Sequence, residues 1–169
     1  MRREKAEGRR QKAKSGFTLI EILVVLVIIM ILAGIIVGAA KYAQVRAARS
    51  RTQAEIATME TALESYKSDN GVYPRSTTTR SDAVNNGIDL YAALVAGPNN
   101  PKTYFTFKPN QIRFISVTQT NIIDPFGSPY NYYCNPGAVD QKNGATFDLW
   151  SYGPDGQNGT SDDIMNWGQ

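Results

Sequence analysis

The chain has 169 residues, with 18 Lys and Arg against 15 Asp and Glu, no His and a single Cys. Without an imidazole there is no His-based triad, zinc ligand or acid/base pair, and one thiol closes neither an internal disulfide nor a thiolate metal site. Cys134 is therefore expected as a small buried side chain, and the length allows one ordinary domain plus something extra.

Charge is unevenly spread along the chain. Residues 1–16 carry seven Lys/Arg and two Glu, a net of +5, whereas residues 17–169 carry eleven basic against thirteen acidic residues, a net of −2. From residue 52 onward seven basic residues face twelve acidic ones. That balance argues against a folded domain that grips nucleic acid through a basic face, so no nucleic-acid partner is expected. With a membrane-length segment directly behind it, the basic leader reads as a topology signal.

From Ile22 to Ala40 there are 19 consecutive residues drawn only from Ile, Leu, Val, Met, Ala and Gly. At 1.5 Å per residue this is about 29 Å of helix, the thickness of a bilayer's hydrocarbon core. A secretory signal would have a shorter apolar region. Lys and Arg before the span predict a cytoplasmic N-terminus, with everything after residue 41 on the far side. Directly before the span stands Glu21, an expensive place for a carboxylate. Two readings are open: the acid reaches the cytoplasmic interface, or it is matched by a cation. If a peptidase cuts after Gly16, the new amine of Phe17 lies four residues from Glu21. In side-by-side subunits, the carboxylate of one can meet the amine of the next, and a buried charge tolerated only when paired fixes axial register.

The string Gly16-Phe17-Thr18-Leu19-Ile20-Glu21-Ile22-Leu23-Val24-Val25-Leu26 resembles the class III signal of the type IV pilin and pseudopilin family. The resemblance implies cleavage after Gly16 by prepilin peptidase, N-methylation of Phe17, and a membrane helix that later becomes the core of a filament, with Glu21 serving assembly.

Beyond the span, Tyr42, Val45, Arg49, Thr52, Ile56, Met59, Leu63 and Tyr66 recur at three- and four-residue steps. The spacing predicts one helix from about residue 17 to 68, apolar all round at first and amphipathic later, so that its second half lies on a globular body. Asp69-Asn70-Gly71 ends it and Pro74 prevents resumption. Four segments follow: a leader over 1–16, a membrane or filament-core helix over 17–41, the amphipathic half over 42–71, and a head over 72–169. In the head, Tyr104–Phe107 and Arg113–Val117 read as a hairpin joined through Pro109-Asn110, and Tyr130–Tyr133 with Thr146–Tyr152 as a second strand pair. Ile88–Ala96 reads as a short helix, and Thr77-Thr78-Thr79 as a solvated loop. The expected fold class is α+β, a long N-terminal helix on a small antiparallel sheet.

The stretch Gly153 to Ile164 carries Asp155, Asp162 and Asp163 among three glycines and one asparagine. Hard oxygen ligands on a flexible loop suit Ca²⁺, and neighbouring carboxylates repel unless neutralised. EF-hand spacing is absent. Asp/Gly/Asn-rich loops also form plain turns, so both readings stand at this level.

The segments Tyr66-Lys67-Ser68-Asp69-Asn70-Gly71-Val72-Tyr73-Pro74, Asp124-Pro125-Phe126-Gly127-Ser128-Pro129-Tyr130 and Phe147 to Gly156 with Asp162 to Trp167 resemble the major pseudopilin family of type II secretion systems. That resemblance implies a pilin-like fold and calcium held by Asp155, Asp162 and Asp163 side chains and the backbone carbonyls of Tyr152 and Thr160. It implies a non-enzymatic subunit, anchored by one span in the bacterial inner membrane with its head in the periplasm, that polymerises into the pseudopilus. Its partners would be further copies, minor pseudopilins, prepilin peptidase, the inner-membrane assembly platform and exported proteins. A type IV pilus subunit is the alternative, disfavoured by the missing Cys pair. A tethered enzyme would have to use Cys134, Asp124 or Asp148, for which no base is assignable.

Overall fold

The computed structural model describes residues 16–77, 80, 86–97, 100–117 and 119–168. Residues 1–15 of the expected leader over 1–16, and Thr78 and Thr79 of the expected Thr loop, lie outside them. The chain divides into two compact units, residues 1–42 and 43–169.

One helix, α1 (Leu19–Asn70), carries the sequence from the first unit into the second. It stops where Gly71 turns left-handed at φ 79° and its N–H bonds the Lys67 carbonyl at 2.7 Å, a conformation that costs glycine nothing. In the first unit the helix is long and apolar enough to cross a membrane, and none of its most apolar window is buried within the chain. In the second unit the predicted row turns inward: Thr52, Ile56, Met59 and Leu63 are buried, with Ala62 beside them. Thr52, the polar member, is satisfied by donating to the Ala48 carbonyl at 3.0 Å.

Among the described residues the head adds a short helix, α2 (Asn86–Leu94), and five strands: β1 (Ile112–Phe114), β2 (Thr120–Ile122), β3 (Asn131–Tyr133), β4 (Asp148–Ser151) and β5 (Ile164–Met165). β1 and β2 form an antiparallel pair, and β3-β4-β5 a second antiparallel sheet with β4 in the middle. The core joins α1 to α2 through Leu90 and Leu94 and to the sheets through Ile122, Tyr130, Tyr132, Leu149 and Ile164. α2 is pressed close: a Cβ on Gly87 would stand 2.1 Å from Asn121 Oδ1 and 2.7 Å from the Tyr130 carbonyl. All four residues of β4 are buried, as befits a central strand covered on both faces. Its Asp148 is compensated by Arg80, whose guanidinium also lies over the rings of Trp150 and Trp167, and by the N–H groups of Lys142 and Asn143. A buried carboxylate with this many donors is structural.

The second predicted strand pair is realised as β3 and β4, with Asn131 opposite Trp150 and Tyr133 opposite Asp148. The expected hairpin is not. Tyr104–Phe107 forms no ladder; the N–H groups of Tyr104 and Phe105 satisfy the Leu94 carbonyl at the end of α2 instead. Its rings pack as a lid, Phe105 on Phe107 at 4.6 Å and Tyr104 on Tyr66 at 5.2 Å. The partner of β1 is β2, with Ile112 opposite Ile122, and past Phe114 the N–H groups of Ile115 and Ser116 both donate to the Gln119 carbonyl. Cys134 is buried as expected, its thiol directed at the Thr146 carbonyl at 3.5 Å.

Candidate functional site

The expected site residues lie toward the two ends of the sequence, one set in each compact unit. At the first, Gly16, Phe17 and Thr18 precede α1 as non-helical, exposed backbone. Among the described residues nothing lies within 4 Å of where a Cβ on Gly16 would stand, and Phe17 is 85% exposed. Glu21 is not bare. Its Oε2 accepts from the Thr18 N–H at 2.8 Å and from the Thr18 hydroxyl at 2.9 Å, while Thr18 Oγ1 accepts from the Glu21 N–H at 3.3 Å. This reciprocal pattern is a capping box, in which a helix's first free N–H groups are satisfied by side chains. Thr18 was not among the residues picked from sequence, although the Thr-x-x-Glu spacing announces it. The acid therefore has a partner within its own chain before any neighbour arrives.

At the second end, Tyr152 leads into a 3-10 turn, Gly153–Asp155, after which the chain loops back to β5. Gly153, Gly156 and Gly159 take φ values of 67°, 67° and 83°, left-handed backbone that explains the glycine spacing. The carboxylates are spent on the loop itself. Asp155 Oδ1 accepts from the Gln157 N–H at 2.8 Å, Asp162 Oδ2 from the Asp155 N–H at 3.1 Å, and Asp163 Oδ2 from the Gly159 N–H at 2.8 Å. The Thr160 hydroxyl donates to Asp162 Oδ1 and lies 3.5 Å from Asp163 Oδ1. Asp162 and Asp163 are thus brought together at Thr160, and the Asp155 side chain, which accepts from Gln157, also interacts with Asp162. Among the described residues no three acidic, His or Cys side chains converge as a metal-holding group.

Electrostatics separates the pair. The Thr160 hydroxyl holds the Asp162 carboxyl below the usual range, and burial pushes Asp163 up, with the neighbouring Asp162 charge adding to the rise. The donor types on this loop, carboxylate oxygens rather than nitrogen or sulfur, are those a hard divalent cation takes, and the Asp162–Asp163 repulsion is one that a cation would relieve.

The candidates for chemistry resolve differently. Asp124 Oδ1 accepts from the N–H groups of Phe126 and Ser128 at 2.9 Å each, and Oδ2 from the Ser151 hydroxyl at 2.5 Å; these bonds staple a turn to β4. Burial pushes the Cys134 thiol above its ordinary value, away from the thiolate a nucleophile needs.

A helix apolar through its first half and amphipathic through its second, an α+β head, and a capped acid at the helix start define a type IV pilin-like subunit. The family model of type II secretion system protein G matches residues 39–167, and that of the prokaryotic N-terminal methylation motif matches residues 11–37. The chain belongs to the type II secretion system protein G family. The type II secretion system core protein G of Escherichia coli K12 is 36% identical over 161 residues, covering 95% of both chains. That of Pseudomonas aeruginosa is 34% identical over 94% of this chain and 98% of its own, and that of Aeromonas hydrophila 33% over 94% and 95%. A crystal structure of the major pseudopilin from the type 2 secretion system of enterohaemorrhagic E. coli covers 72% of this chain and 88% of its own at 29% identity, with a TM-score of 0.41.

Proposed function

We propose that the chain is a non-enzymatic structural subunit that polymerises into the pseudopilus of a type II secretion system. The observation that carries the reading is the first half of α1. In a member of the protein G family, a membrane-length apolar helix has none of its most apolar window buried within its own chain, so lipid and then neighbouring copies must cover it. Before assembly the subunit sits in the inner membrane with its N-terminus cytoplasmic and its head periplasmic, the orientation set by the seven basic leader residues. Prepilin peptidase cleaves after Gly16 and the Phe17 amine is methylated. Contacts repeated head to tail without closing give a helical fibre, to which minor pseudopilins, an inner-membrane assembly platform and exported proteins are the expected partners.

In this reading Glu21 exchanges its Thr18 donors for the Phe17 amine of the next copy. A subunit out of register would bury the carboxylate without that cation, which is the costlier state. Replacing Glu21 by Ala in cells that overproduce the chain is expected to abolish sheared fibres while leaving the folded head intact; fibres of normal yield and length would remove the register role.

Calcium is the proposed ligand of the C-terminal loop, held by the side chains of Asp155, Asp162 and Asp163 and the carbonyls of Tyr152 and Thr160. Bound there, it would neutralise adjacent carboxylates and lock a loop that no disulfide closes. An ion that binds only the folded loop stabilises it by mass action, about 2.7 kcal/mol at a hundredfold excess over Kd. The chain in detergent is expected to melt lower in EGTA than in calcium. Equal melting temperatures would sink the assignment.

A further inference from the structure

Arg49 is out of place by composition. It stands in the row Val45, Arg49, Thr52, Ile56, Met59, Leu63, whose other members are all uncharged, and its side chain is half-buried rather than in solvent. Its Nη2 donates to the Asp162 carbonyl at 2.8 Å, across 113 residues of sequence. The same carbonyl is confined from a second side, because a Cβ on Gly153 would stand only 2.3 Å from it.

A trans peptide points its C=O and N–H in opposite directions. With the Asp162 carbonyl turned toward α1, the N–H of Asp163 is directed the other way, toward the Thr160 carbonyl at 3.4 Å. The two Cα atoms flanking this peptide carry the Asp162 and Asp163 carboxylates, which meet at the Thr160 hydroxyl. Displacing that one peptide moves both Cα atoms, and with them both carboxylates.

We propose that Arg49 is a positioning residue for the C-terminal loop: by fixing the Asp162–Asp163 peptide it sets where two of the three carboxylates point, and so couples cation binding to α1. The inference rests on the calcium reading above. Partners that hold metal ligands in place are commonly worth about ten- to a hundredfold in metal affinity. A second role for the arginine, as a mere counter-charge to the acidic loop, has the opposite sign, since a cation beside the loop repels Ca²⁺ and its removal would tighten binding.

The sign difference makes the test. Ca²⁺ is titrated calorimetrically into the full-length chain in detergent micelles, and melting is followed in calcium and in EGTA, for the natural chain, Arg49→Met and Arg49→Lys. Methionine has room, because Arg49, Gln53 and Asp163 share the wall of a shallow cavity of about 200 Å³. Arg49→Met is expected to bind Ca²⁺ about tenfold or more weakly and to narrow the gap between the two melting temperatures. Arg49→Lys keeps the charge but has a compact ammonium in place of the fork, and should fall between. An affinity in Arg49→Met that is unchanged or tighter, or melting temperatures lowered equally with and without calcium, would overturn the proposal. Should Arg49→Met fail to fold, Arg49→Lys decides, since full natural affinity there means that charge alone suffices. If the natural chain itself shows no calcium response, and Asp155→Ala behaves the same, the calcium reading falls and this inference with it. A normal natural response beside a normal Arg49→Met response removes the inference alone.

Discussion

Leu26 and Leu63 are the same side chain on the same helix, yet the first is 53% exposed and the second fully buried. Propensity does not distinguish them, and what does is what surrounds each within the chain. Around Leu63 the row alternates with Glu60 and Glu64, so one face is free to pack on the head while the other stays wet. Around Leu26 every neighbour is apolar, so no face is wet and none is supplied with a partner by the chain itself. The head is thus a fold the sequence completes alone. The stem is an element whose completion is delegated to its surroundings, which is what a filament subunit requires.

The sharpest way to break this comparison is to truncate both leucines. Leu63→Ala should lower the stability of the head by about 2–5 kcal/mol, as removal of a fully buried leucine does, measured by denaturant titration of the detergent-solubilised chain. Leu26→Ala should change head unfolding by no more than about 0.5 kcal/mol while reducing fibre yield. Equal destabilisation by the two would dissolve the distinction. Gly87→Ala comes next: the added methyl collides with Asn121 Oδ1 and the Tyr130 carbonyl, and an overpacking cost of about 1–3 kcal/mol should appear in the same titration.

A smaller effect is expected at the start of the stem. Thr18→Ala removes the cap of α1 and should cost about 1 kcal/mol of local helix stability, seen as faster amide exchange at the helix N-terminus with the head unaffected. The mildest test concerns pH. Burial, then the Glu64 carboxylate that accepts its hydroxyl, push the Tyr73 phenol from 10.0 up to about 12. The neutral phenol is favoured in the fold, so its contribution is whole below pH 10 and is lost as pH rises through about 12. Tyr73→Phe should flatten that alkaline decline, and an unchanged slope would show that another group governs it.

The long helix was legible because its signals agree: a bilayer-length apolar run, then a 3.6-residue row, then an Asn-Gly stop that the structure realises at Asn70 and Gly71. β3 and β4 were legible from aromatic runs bounded by turns. Tyr104–Phe107 has the same composition, but its aromatic side chains cap the core while its N–H groups close α2, a use of the backbone that residue types do not reveal. β5 is two residues long, below what any periodicity can mark. At the loop, the carboxylates were readable as a set, but not that Asp162 and Asp163 meet at the Thr160 hydroxyl. Arg49 stood in the apolar row as a visible anomaly, and only the fold could say that its partner is a carbonyl 113 residues away.

The solitary thiol of Cys134, sunk in the core against the Thr146 carbonyl, has a bearing on how the subunit comes to be made. A head tied together without sulfur bridges owes nothing to oxidative catalysts for its maturation, and a sulfur shielded from the medium offers small reducing molecules and stray disulfides little to exchange with. Such a subunit would reach its finished shape equally well in reducing and in oxidising surroundings.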